Sequence, residues 1–136
     1  MLFRSVLGHV HVLSDLGSQL APLSNRLAAS GVGRWLNEKL FGIDRRRTPP
    51  AWASRTFERR WASRGAAAGT PSGARAGGVT LFNDTFTNFN DPEIGDAAVD
   101  VLRAAGVSVD VAPYRCCGRP LISTGQLDAE IGRAHV

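Results

Sequence analysis

At 136 residues the chain has room for one ordinary domain at most, and a Gly-, Ala-, Ser- and Pro-rich run from Ser63 to Gly78 splits that into two parts too short to hold a core alone. The formal charge of +4 collects in Arg45–Arg46–Arg47 and in Arg55, Arg59, Arg60 and Arg64, with Trp52, Phe57 and Trp61 interleaved, which is compatible with phosphate contact and base stacking. No nucleic-acid-binding motif accompanies these residues, so a solvated connector facing acidic surfaces is the favoured reading and no nucleic-acid partner is expected. Two cysteines rule out a disulfide framework, and no stretch reaches the roughly twenty apolar residues of a membrane span or has the plan of a signal peptide.

In chain order, Phe3, Val6, Leu7, Val10 and Leu13 recur at helical spacing, so residues 2–17 are expected to form an amphipathic helix that Gly17–Ser18 ends or bends. Leu20, Leu23 and Leu27 continue the stripe, with Pro22 in a first turn where proline is tolerated. Gly31-Val-Gly33 precedes a third helix carrying Trp35, Leu36 and Leu40, closed by Gly42. His9 and His11 stand two apart, on different helix faces, and read as surface residues rather than joint metal ligands. Residues 1–43 are therefore a helical connector, and 44–78 an Arg-rich and then Gly/Ala/Ser-rich linker.

Beyond it the pattern changes. Val79-Thr-Leu-Phe82 is a short apolar strand, followed by a polar loop from Asn83 to Asn90. Asp91 is placed to cap a helix with Pro92 at its first position and Glu93 in its first turn; Ile94, Ala98, Val101 and Leu102 form its expected core face, and Gly106 ends it. Val107–Val111 is a second strand, stopped at Pro113. Strand, helix and strand in this span imply a parallel pair with a right-handed crossover, so the fold class is α/β: a helical N-terminal connector followed by an incomplete β-α-β unit. Another helix starts near Pro120, with Leu127 on its inner face. Two strands are too few for an independent parallel sheet.

Ligands in such sheets sit outside the carboxyl ends of the strands. Two segments fall there: the Asp84–Asn90 loop and Tyr114-Arg-Cys-Cys-Gly-Arg-Pro120, which holds both cysteines. Adjacent side chains point in different directions, so a single apolar pocket seldom takes both, and a disulfide between neighbours needs a strained ring. Cys116 and Cys117 in a turn beside Gly118 suit metal or cluster ligation, or thiol redox chemistry. Arg115 and Arg119 flank them, and positive charge favours thiolates and anionic clusters. Asp84 could supply an oxygen ligand; a loop or N-cap role is the plainer reading.

Cys116-Cys117-Gly118-Arg-Pro-Leu-Ile-Ser123, with Leu81-Phe-Asn-Asp-Thr-Phe-Thr-Asn-Phe89 and Asp91-Pro-Glu-Ile-Gly95, resembles the cysteine-rich CCG domain. That domain occurs in iron–sulfur subunits of glycolate oxidase, anaerobic glycerol-3-phosphate dehydrogenase and heterodisulfide reductase. The nearest likeness is to bacterial fusion flavoproteins that join an FAD-linked D-lactate or 2-hydroxy-acid dehydrogenase to ferredoxin-type and CCG domains. Leu40–Arg47 and Arg55-Thr-Phe57 are similar to the connector between the last two.

The resemblance implies that residues 79–130 are a partial CCG domain with Cys116 and Cys117 as iron–sulfur or redox residues. It implies FAD in the parent protein, ferredoxin-like and flavin domains as partners, and an acceptor such as a quinone; without a signal peptide or disulfide framework a reducing cytoplasm is the default place, and a position peripheral to the inner face of the membrane stays open. The sequence departs from the family where Thr85, or Asp84, stands at the position of the first cysteine, and the family's later Cys-x-x-Cys falls beyond residue 130. A four-iron cluster takes about four protein ligands, so Cys116 and Cys117 are an incomplete set. No catalytic base or flavin motif is present, and the fragment alone is expected to be inactive. Ile131–Val136 matches the translation of a common sequencing adapter and is set aside as a scar. Two other readings stay open: a small basic interaction or nucleic-acid-binding protein, and a thiol redox module using the cysteine pair.

Overall fold

The computed structural model describes residues 6, 8–64 and 78–129. The expected first turns of the N-terminal helix, most of the Gly/Ala-rich run and the six adapter-like residues lie outside the described residues. The chain divides into two units, Arg55–Arg115 and the segments flanking it, up to Ser54 and from Cys116 onward.

In the flanking unit three helices follow one another: α1 (Val10–Gln19), α2 (Leu23–Ala29) and α3 (Gly31–Phe41). α3 opens on Ser30, whose hydroxyl accepts from the Gly33 N–H at 3.0 Å, and closes at Gly42 in the left-handed conformation, as expected of a glycine there. α1 does not break at Gly17–Ser18. The Trp52 ring lies against Gly17 so closely that a Cβ there would fall 2.4 Å from it, so the glycine is needed for packing inside the helix. Ser18 donates to the Ala53 carbonyl, and Asn25 clamps both backbone polar groups of Trp52, donating to Trp52 O and accepting from Trp52 N, each at 2.8 Å. The buried face of α1 is thus Ser14, Gly17 and Ser18 rather than the leucine stripe. Leu16, Leu20, Leu23 and Leu27 are exposed, because the segment around Trp52 packs on the small residues instead.

In the second unit β1 (Gly78–Leu81) pairs parallel with β2 (Ser108–Val111) in the register Gly78↔Ser108 to Leu81↔Val111. The crossover holds two helices. The expected polar loop contains a short helix, α5 (Thr85–Phe89), before the expected α6 (Pro92–Ala104). Asp84 makes the difference: its Oδ1 accepts from the N–H groups of Phe86 and Thr87 at 2.7 and 3.0 Å, satisfying donors that a helix start leaves open. Asp91 stands before Pro92 as expected, yet its side chain makes no cap bond. Gly106 turns the chain out of α6 at φ 78°, a left-handed conformation that suits glycine.

Part of the stretch expected as a linker is helical: α4 (Phe57–Arg64) belongs to the second unit. Phe57 is fully buried and forms the core with Val99 and Val111, joined by Trp61, Leu81 and Val109. Its ring would lie 2.7 Å from a Cβ at Gly95, so Gly95 is the socket for Phe57. This rotates α6 away from the expected face. Pro92, Gly95 and Val99 are buried, and Ile94 and Val101 are 61% and 68% exposed. Arg60 and Arg64 reach Asp96 at 3.0 and 2.8 Å, Arg64 reaches Asp100 at 3.1 Å, and Arg103 lies 5.2 Å over the Trp61 ring.

Phe57→Ala removes the largest fully buried side chain among the described residues, and the socket at Gly95 has no side chain with which to fill the gap. The expected cost is about 3–5 kcal/mol, the usual range for truncating a core phenylalanine. Urea unfolding followed at the tryptophans measures it, and a midpoint equal to wild type would remove Phe57 from the core.

Candidate functional site

Both strands end at one edge of the sheet, and the chain leaves β1 through Asn83–Asp84 and β2 through Ala112–Tyr114. Asn83, Thr85 and Asn88 are buried polar residues at this edge. Asn83 Nδ2 donates to Asn88 Oδ1 at 3.1 Å, and the same oxygen accepts from the Glu58 N–H at 3.0 Å, tying α4 to α5. Asn83 Oδ1 is buried and accepts no hydrogen bond among the described residues. Thr85 shares a hydrogen bond with the Tyr114 hydroxyl at 3.1 Å, and the Tyr114 ring stands edge-on to buried Phe89.

These contacts decide what the first loop can offer. Oδ1 of Asp84 caps α5, and its Oδ2 accepts from Thr87 Oγ1 at 3.0 Å. Its carboxylate is the N-cap anticipated as the plainer alternative to a ligand. Thr85, at the position of the family's first cysteine, is 5% exposed and already bonded to Tyr114. Neither group is presented as a ready donor.

Cys116 and Cys117 are both free thiols, Cys116 half-buried and Cys117 exposed. The pair ends at Gly118, whose φ of 74° needs glycine and whose carbonyl accepts from Leu121 and Ile122 as α7 (Arg119–Ser123) begins. Leu121, 1% exposed, and not Leu127, which is exposed, anchors this helix in its unit. Within that unit Leu121 and Gln126 lie against Gly8. Arg115 and Arg119 are exposed, and among the described residues neither enters an ion pair. Asp84 and Thr85 belong to the second unit, whereas Cys116 and Cys117 open the last segment of the other.

Among the described residues Cys116 and Cys117 offer two soft sulfur donors. Among the described residues no group of three or more His, Cys, Asp or Glu side chains is placed to hold a metal ion. His9 and His11 have ring centroids 6.0 Å apart and form no such group. Glu58 reads in the sequence only as diluting charge, and Asn83, Asn88 and Tyr114 carry no signal there; a buried amide pair leaves no mark in residue spacing.

The chain is 33% identical over 124 residues to a subunit of the anaerobic glycerol-3-phosphate dehydrogenase of Escherichia coli K12, a match covering 90% of this chain and 30% of that protein. It is 41% identical over 61 residues to a subunit of the CoM/CoB fumarate reductase of Methanothermobacter marburgensis, covering 44% of this chain and 12% of that one. It is 45% identical over 51 residues to an iron–sulfur protein of Methanococcus maripaludis, covering 37% and 10%. The chain thus spans less than a third of the length of the curated relatives it matches. No family model matches it, and no solved structure does. Among the described residues no helix is long and apolar enough to cross a membrane.

Two measurements follow from this geometry. Asp84→Ala is expected to cost about 1 kcal/mol, the usual value of an N-cap, and Asp84→Asn much less, since its amide oxygen still accepts; equal stability of all three proteins would remove the cap. Iodoacetamide followed by peptide mass spectrometry is expected to label Cys117 before Cys116, in line with their exposure. Labelling in the opposite order would contradict the placement of the pair.

Proposed function

We propose that this chain is the electron-transfer part of an FAD- and iron–sulfur-dependent oxidoreductase acting on a 2-hydroxy acid of the D-lactate or glycolate type. Residues 1–43 and the Arg-rich stretch after them are its connector, and 79–130 the first part of a CCG domain. The observation that carries this reading is a pair of free, adjacent thiols just beyond the carboxyl end of a parallel strand. They occur in a chain similar along most of its length to part of an anaerobic glycerol-3-phosphate dehydrogenase.

Cys116 and Cys117 would supply two thiolates to an iron–sulfur cluster whose other ligands come from elsewhere in the protein. Such a cluster supplies single-electron transfer between the flavin of the parent protein and an acceptor such as a quinone. Arg115 and Arg119 offset the negative charge of thiolates and cluster. Asp84 serves the fold. The partners are ferredoxin-like and flavin domains, and the place is the cytoplasm, at the inner face of the membrane.

The basic stretch that invites a nucleic-acid role is largely engaged within the chain. Arg45 pairs with Glu38, and Arg46 with Asp44, where this hydrogen bond holds the Asp44 carboxyl below the usual carboxylate range. Arg60 and Arg64 are turned onto Asp96 and Asp100.

The test begins with sequencing the source locus across codon 130 and upstream of codon 1. A frame continuing into a Cys-x-x-Cys, with ferredoxin and flavin domains before it, is the expected result. In the protein that this locus encodes, Cys116→Ser/Cys117→Ser is expected to leave flavin reduction by D-lactate or glycolate intact and to abolish electron transfer to a quinone analogue. Unchanged transfer would sink the electron-transfer role. A stop directly after Val136 would leave a two-thiol module instead.

A further inference from the structure

Helices α1 and α2 carry their leucines on the side that the rest of their unit leaves open. Trp52 and Ala53 take the other side. The Trp52 ring lies on Gly17, Ser18 donates to the Ala53 carbonyl, and Asn25 holds both backbone groups of Trp52. The Ser24 hydroxyl donates to the Gly17 carbonyl at 2.6 Å and ties the two helices together through small residues. At 3.6 residues per turn, Leu16 stands across α1 from buried Ser14 and Ser18. Leu16, Leu20, Leu23 and Leu27 follow one another at helical spacing and are 52%, 63%, 70% and 63% exposed. Among the described residues of this unit, Leu121 is the one large apolar side chain that is buried. A single exposed leucine is ordinary, whereas a row of four marks a surface that another surface covers.

Charge narrows what that surface is. Between Val10 and Ala29 the only Asp, Glu, Lys or Arg residues are Asp15 and Arg26. A helix lying on a membrane surface carries Lys and Arg along its polar face, and a phosphate backbone is met by basic side chains. This segment offers one arginine. A zipper with a second copy of the chain takes an unbroken helix with charged flanking positions, but α1 ends at Gln19 and α2 starts at Leu23, after Pro22. An apolar face poor in charge has the composition of a permanent contact, which resembles a core cut in half. The relatives hold enough further polypeptide for such a contact: the match covers 90% of this chain and 30% of the glycerol-3-phosphate dehydrogenase subunit.

Resting on the reading of this chain as part of a longer oxidoreductase, we propose that Leu16, Leu20, Leu23 and Leu27 form a docking surface for the remainder of that polypeptide. The occupant is an apolar face, itself poor in charge, and the contact is permanent. The helical connector then packs on two sides: its small residues hold the Trp52 segment, and its leucines hold the rest of the protein.

The test is hydroxyl-radical footprinting, read by peptide mass spectrometry, on the protein that the locus encodes and on the monomeric 136-residue chain. The four leucines are expected to be oxidised readily in the 136-residue chain and several-fold more slowly in the encoded protein. Leu16→Gln/Leu23→Gln replaces them with a residue of similar helix propensity. It is expected to lower the melting temperature of the encoded protein and to leave that of the 136-residue chain unchanged, because these side chains already meet water there. Leu16→Met/Leu23→Met keeps the apolar volume and is expected to leave both unchanged.

Equal oxidation of the leucines in the two proteins overturns the docking surface while leaving the longer oxidoreductase standing. Protection already present in the monomeric 136-residue chain overturns it too, since the chain then covers its own leucines. So does protection that arises only when that chain dimerises, which gives the face to a second copy. An equal loss of melting temperature in both proteins with Leu16→Gln/Leu23→Gln marks a role inside the unit and overturns it as well. Binding of the encoded protein to phosphatidylglycerol vesicles that this variant abolishes gives the face to a membrane instead. A stop directly after Val136 removes the longer polypeptide, and the docking surface with it.

Discussion

A parallel pair of four-residue strands cannot bury itself, and the second unit depends on Phe57 to do it. Parallel sheets are stable only where helices cover them. Here α6 lies in the crossover, and α4 arrives from earlier in the chain with a phenylalanine that meets Val99 and Val111 and fills the space left by Gly95. Phe57 needs Gly95, because any side chain there would collide with its ring. Pro92, Gly95 and Val99 then become the buried face of α6, and everything hung on that helix follows from its rotation.

The ion pairs around this contact orient more than they stabilise. Arg60 and Arg64 share Asp96, and Arg64 also takes Asp100, with the arginine side chains about a third exposed. Each pair at such a site is worth at most about 1 kcal/mol, well below what a buried phenylalanine supplies. Their effect is register. Phe57 and Glu58 are neighbours on α4, so fixing its direction over α6 places the first in the core and brings the second to the Tyr114 peptide. One helix thus joins core packing to the backbone at Tyr114.

Much of this was legible in the sequence, and the remainder was hidden for definite reasons. The two strands, the long helix between them, the glycine stop at Gly106 and the three N-terminal helices follow from spacing and punctuation, which are local signals. The core face of α6 did not, because Ile94, Val101 and Leu102 carry the hydrophobicity while contact with Phe57 requires the small residue at Gly95. The same inversion occurs in α1, where Ser14, Gly17 and Ser18 are buried against the Trp52 segment and the leucines are exposed. Hydrophobic periodicity ranks residues by their wish to leave water. Where a bulky aromatic needs room, the face that can be approached closely wins. Of the candidate site, Cys116 and Cys117 were legible as chemistry, whereas Glu58 and Asn88 were invisible because their partners lie about thirty or more residues away.

The cysteine pair itself shows how turn geometry and chemistry meet in one short stretch. Gly118 is tied to Cys116 and Cys117 by more than the motif's name: its left-handed backbone, which costs a side-chain-bearing residue roughly 1–2 kcal/mol, lets the chain turn from half-buried Cys116 and exposed Cys117 directly into α7. Leu121 buries the far side of that turn. After the pair, the chain is held at Gly118 and Leu121.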